Sequence, residues 1–130
     1  MNALQPRSGK RPASVDRETV VSWAVRAAQA ADDKQGTNTT VLDVGNILAI
    51  TDMFVITSAS NPRLVRALAD EVQARLKADC GIAPVRAEGL SDLSWVLLDY
   101  GDLVVHIFND EMRAFYDIER LYRDAPKVSF

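Results

Sequence analysis

Few side chains in this sequence could do chemistry. His106 is the single histidine and Cys80 the single cysteine in 130 residues. A zinc site needs three or four N, S or O ligands at characteristic spacing. One imidazole and one distant thiol do not provide that, so neither a metal nor another cofactor is expected. Carboxylates are the other candidates. Nucleotidyl transfer holds Mg²⁺ on closely spaced acids, usually a Gly-Ser followed by Asp-x-Asp. Here Thr57-Ser58-Ala59-Ser60 runs straight into a predicted helix whose acids, Asp70 and Glu71, are adjacent. Adjacent helical residues point about 100° apart and make a poor metal clamp. Asp99 and Asp102 could approach each other at a hairpin mouth, where weak metal binding is the most they would support. The residues therefore read as a binding protein, not an enzyme.

Charge sharpens that reading. The net charge of −3 includes Arg7, Lys10 and Arg11 of a leading segment that has no acid. The excess of acid lies late in the chain, with nine acids against three bases from Glu88 to Asp124. An acidic surface repels phosphate backbones and favours basic partners, although solubility alone also explains it. Helix-borne Arg63, Arg66, Arg75 and Lys77 are offset by Asp70, Glu71 and Asp79, which reads as a solvated face and not an RNA stripe. Any RNA contact would be minor and would come from the leading basics. No window reaches the roughly 18 apolar residues of a membrane span. The first residues lack the apolar stretch of a secretory signal. A lone cysteine fits a reducing cytoplasm.

The elements that must position these groups follow from periodicity. Residues 1–14, polar and proline-containing, read as a disordered basic tail. Residues 15–126 form one α/β domain, and 127–130 a fraying end. Apolar residues at helical spacing predict a first helix over Asp16–Asp33. A turn follows to Thr40, then a strand over Val41–Ala49, bent at Gly45-Asn46. Met53–Ser58 is nearly all apolar, as in a central strand covered on both faces. Asn61 caps a second helix, Pro62 takes its first position and Gly81 stops it. A short strand at Pro84–Glu88 precedes a hairpin, and one last helix spans Asp110–Tyr122.

The hairpin holds most of the information. With Tyr100-Gly101 as a two-residue turn, Asp99 faces Asp102 and Trp95 faces His106. Faces alternate along each strand. One face then carries Val96, Leu98, Leu103, Val105 and Ile107, which is core. The other carries Trp95, Leu97, Asp99, Asp102, Val104, His106 and Phe108. That second face is either a binding surface anchored on Trp95 or a second core covered by a helix. An exposed version would also be liable to self-association.

The run from Trp95 to Phe108, WVLLDYGDLVVHIF, resembles the signature of the ribosomal silencing factor (RsfS, or Iojap) family. Glu88-Gly89, Arg113, Phe115-Tyr116, Glu119, Leu121 and Asp124-Ala125-Pro126 fit the same pattern. So do Thr51-Asp52, Phe54-Val55-Ile56, Ser58, Arg63 and Ala69-Asp70 upstream. The similarity spans about Val41 to Pro126. It departs at Tyr122, where the family usually has tryptophan, and at Ala59 and Asn61-Pro62, in place of a glycine-serine turn.

The resemblance implies a mixed β-sheet of about five strands with flanking helices. It is similar to nucleotidyltransferases but without their catalytic carboxylates. It further implies binding to the large ribosomal subunit through large-subunit ribosomal protein number fourteen. Such binding blocks subunit joining and represses translation under nutrient limitation. A role in large-subunit assembly through the same contact is the alternative. Free family proteins are homodimers. On this reading Trp95, Leu97, Asp99, Tyr100, Asp102 and His106 form the central contact, with Phe115, Tyr116 and Tyr122 at its flank.

Overall fold

The structure, a computed structural model, describes residues 15–130; the expected basic tail, residues 1–14, lies outside them. Helix α1 spans Arg17–Asp33, with the Asp16 carboxylate accepting from the Thr19 N–H as its cap. Its buried stripe is Val20 plus alanines 24, 27, 28, 30 and 31. Alanine is the best helix former and the smallest apolar contact, so α1 packs closely on its neighbour. That neighbour is α2, Pro62–Cys80, which buries Val65, Leu68, Ala69, Val72 and Leu76. Its ends are as the sequence predicts. Asn61 Oδ1 accepts from the Leu64 N–H at 2.9 Å, and Gly81 closes the helix at φ 70°.

Five strands make one mixed sheet in the order β1-β2-β5-β4-β3. They are β1 Thr37–Asp43, β2 Met53–Ala59, β3 Arg86–Glu88, β4 Trp95–Asp99 and β5 Leu103–Asn109. Only the central pair, β2 and β5, runs parallel. β2 is buried along its whole length, as its nearly all-apolar run predicts. Met53 and Val55 face α1 and α2, with Val96, Leu98, Leu103, Val105 and Ile107 beside them in the main core. Phe54 and Ile56 point the other way into a second, smaller core with Leu42, Val44, Phe108, Ile118 and Ala125.

Four expectations are corrected. β1 begins at Thr37, inside the expected turn, because Thr37, Thr39 and Thr40 are β-branched, and Thr37 and Thr40 pair with β2 around a bulge that holds Asn38 at φ 49°. It ends at Asp43, whose Oδ1 accepts from the Gly45 N–H, so Gly45-Asn46 makes a turn and not a bend within a strand. The last helix is split into α3, Asp110–Tyr116, and α4, Ile118–Leu121, by Asp117 in the left-handed region at φ 47°. The C-terminal end does not fray. Pro126 O accepts from the Asp43 N–H, and the Val128 N–H donates to Val41 O, so these residues run along the outer edge of β1.

Candidate functional site

The hairpin closes one residue later than the sequence suggests. Leu98 pairs with Val105, Leu97 with His106 and Trp95 with Phe108. The Tyr100 N–H donates to Leu103 O at 2.8 Å, leaving Gly101-Asp102 as the loop. Asp99 sets this register. Its Oδ1 accepts from the Gly101 N–H at 2.8 Å, and Gly101 supplies φ 88° at the first central position of the turn. A shift of one residue at the turn moves each pairing by two, so the two faces keep the membership that alternation predicts.

Tyr100 is the exception among the expected contact residues. It lies on the α1–α2 side of the sheet, buried in the main core, and burial pushes its hydroxyl pKa up to about 12. It is not part of the second face. A tyrosine ring gains more by burial against Leu103 than it would at an exposed turn. Asp102 occupies the turn itself, and its carbonyl accepts from the Asp52 and Met53 N–H groups. Asp99 is engaged too, holding Arg86 through Oδ2 at 3.0 Å.

The remaining expected residues do come together. Trp95, Leu97, Asp99 and His106 share the second face with Phe54, Val104 and Phe108. The Trp95 Nε1–H donates to His106 Nδ1 at 3.1 Å. The proton of a neutral His106 must then sit on Nε2. His106 is only 5 % exposed, and burial lowers its pKa to about 4. The indole stacks on Phe108 and meets Tyr116 at 4.9 Å. Tyr116 meets Phe115 edge-on, and Phe54 meets both His106 and Tyr122 edge-on. A continuous chain of aromatic rings thus runs from Phe115 on α3 to Tyr122 after α4.

This face is neither fully open nor fully covered. α4 and the residues after it cover the β1–β2 side, where Ile118 and Ala125 are buried. α3 buries no residue and leaves Phe115 at 74 % and Tyr116 at 49 % exposure. α3 is held instead by Arg113. Its guanidinium donates to Thr37 O and Asn38 O, both at 2.8 Å, and to Ser58 Oγ at 3.1 Å. It also grips the Glu119 carboxylate with two bonds of 3.0 and 2.9 Å. That fork ties α3 to α4 and to the end of β1, and holds the Glu119 carboxyl below its usual pKa.

Toward the hairpin turn the face opens into a groove of about 510 Å³. Phe54, Leu97, Val104 and His106 line it from the sheet. The loop between β1 and β2 adds Leu48, Ile50 and Thr51, and Val85 and Tyr122 complete the walls. Ile50 and Val85 are both more than two-thirds exposed. Glu88, Asp99 and the Arg86 that bridges them also line the groove. The place of Ile50, Thr51, Val85 and Arg86 on this groove escapes notice in the sequence because they belong to connections and a short edge strand, where no periodicity assigns a side chain to a face. The apolar run Ile47-Leu48-Ala49-Ile50 after the Gly45-Asn46 turn was the available signal. Among the described residues no cluster of three or more potential metal ligands exists, and no helix is long and apolar enough to cross a membrane.

Comparisons with known proteins show what the chain as a whole is similar to. The family model described as "Ribosomal silencing factor during starvation" matches residues 17–130. A ribosomal silencing factor of Halalkalibacterium halodurans is 38% identical over 102 residues, covering 78% of this chain and 86% of its own. The chloroplastic protein Iojap of Zea mays is 33% identical over 116 residues, 87% of this chain and 49% of the relative. In structure, the chain is similar to a crystallised Chromobacterium violaceum protein, with a TM-score of 0.77 and 33% identity. That match covers 85% of this chain and 91% of the other.

Proposed function

The chain belongs to the family of ribosomal silencing factors, and from that premise we propose that its second sheet face docks on the large ribosomal subunit. The contact is with large-subunit ribosomal protein number fourteen, and the bound chain occupies space that the small subunit needs. Translation falls because subunits fail to join, and no chemical step is required. The observation that carries this reading is the exposed aromatic ridge of Phe115 and Tyr116, backed by half-buried Trp95 and continued by the groove. Rigid aromatics with a packed base and a free edge are the residues that anchor protein interfaces. The acidic C-terminal third supports a basic partner such as a ribosomal protein.

A free homodimer that uses the same face follows from its apolar exposure. Partner binding and self-association then compete, and saturating partner that leaves the dimer intact in analytical ultracentrifugation contradicts that competition.

Co-sedimentation with purified large subunits tests the docking. Phe115 makes no buried contact, so Phe115→Ala leaves the fold intact. It is expected to weaken binding about tenfold, as an interface anchor does. Unchanged affinity removes the ridge from the interface.

A further inference from the structure

Two residues of the groove carry polar atoms that are buried beneath its surface and left unsatisfied by the chain. His106 uses Nδ1 to accept from Trp95, and its Nε2 has no hydrogen-bond partner. Thr51 is 2 % exposed, and its Oγ1 also has none. Both residues line the groove. A buried polar group without a partner costs about 1–3 kcal/mol, and Val in place of Thr51 would fill the same space without that cost. The remaining surroundings define what could satisfy them. Phe54, Leu97 and Val104 offer an apolar bed and no charge. Glu88 and Asp99 share the single cation Arg86, so a carboxylate or phosphate would meet net negative charge. A cation would meet an Nε2–H donor at the depth of the groove. A neutral carbonyl oxygen on an apolar stem suits both conditions. The volume, about 510 Å³, accommodates a few such residues of an extended segment.

We propose that this groove is a socket for a neutral segment of the protein partner, whose carbonyl oxygens accept from His106 Nε2–H and Thr51 Oγ–H as the side chains that cover these two atoms in the free chain part. The inference rests on the docking proposed above and names the chemistry of one part of it. The ridge supplies aromatic area, and the socket selects an uncharged, acceptor-bearing segment. Such a site discriminates, because only an acceptor-bearing partner relieves the cost that both donors already carry in the free chain.

Two substitutions test it against purified large subunits. Thr51→Val removes the hydroxyl and keeps the shape. His106→Asn keeps an acceptor near the Nδ1 position for Trp95 and removes the Nε2 donor. Thr51→Val is expected to raise the thermal midpoint and yet weaken subunit binding about fivefold or more. His106→Asn is expected to weaken binding to a similar degree while Trp95 fluorescence stays native. A hydroxyl with only a structural role predicts higher stability and unchanged binding, and that result for Thr51→Val, with His106→Asn also binding like wild type, overturns the proposal. If Phe115→Ala still weakens binding in the same assay, the docking reading stands and the socket alone fails. If the wild-type chain does not sediment with the subunits, the docking itself fails.

Discussion

His106 shows how one side chain couples sequence, stability and surface. Its Nδ1 fixes the indole of Trp95, and its ring supports Phe54. In the unfolded chain the imidazole titrates near its ordinary value of 6.5, and in the fold near 4. The unfolded state therefore takes up the proton first as the pH falls. The stability this group contributes is fully present above pH 6.5 and is lost as the pH drops toward 4. The linked loss is about 3 kcal/mol in total. Protonation also removes the acceptor that Trp95 uses. Urea midpoints at pH 7 and pH 5 should fall farther for the wild type than for His106→Asn, and a parallel fall in both contradicts the assignment. The place of Trp95 on the second face was legible in the sequence, whereas the burial of Tyr100 was not. The sequence places it beside a glycine, as turns do, but the larger ring is drawn into the core and the turn forms one residue later.

At the scale of elements, the sequence was clear wherever apolar periodicity or a cap was present. α1, α2, β2 and the hairpin faces are of that kind, with Asn61, Pro62 and Gly81 marking α2 at both ends. It was unclear where tertiary pairing decides. The bulged start of β1, the break at Asp117 and the C-terminal residues along β1 all depend on partners distant in sequence. Arg113 is the main such partner, because it joins α3 to Thr37, Asn38 and Ser58 far upstream. Arg113→Ala should lower stability by about 2 kcal/mol, since Glu119 and two carbonyls lose their donor. Lysine should restore little, lacking the two-pronged geometry. Urea unfolding of both variants checks this, and a wild-type midpoint for either one removes Arg113 as the brace. Gly89 is a second element-scale constraint. A Cβ there would lie 2.0 Å from Trp95 O, so only glycine lets the connection to β4 pass.

For the whole molecule, the two faces of one sheet divide the work. α1 and α2 seal the main core, while the opposite face is half covered by α3, α4 and the chain end and keeps a ridge and a groove. The clustering of acids in the C-terminal third predicts steering toward a basic partner. Raising salt from about 0.05 to 0.3 M should therefore slow association with large subunits more than it speeds dissociation. Stopped-flow kinetics reads the two rates separately, and a salt effect confined to dissociation contradicts steering. The family pattern was legible in the sequence. The groove was not, since it is built from loop residues and an edge strand that only the folded sheet brings together.

The central claim is that a docked chain keeps the two ribosomal subunits apart. Light scattering of purified large and small subunits, mixed with increasing amounts of the chain, tests it most directly. The account predicts that joined particles decline as the chain saturates the large subunit, and that Phe115→Ala requires about tenfold more protein for the same effect. Subunits that join fully while the wild-type chain is bound would contradict it.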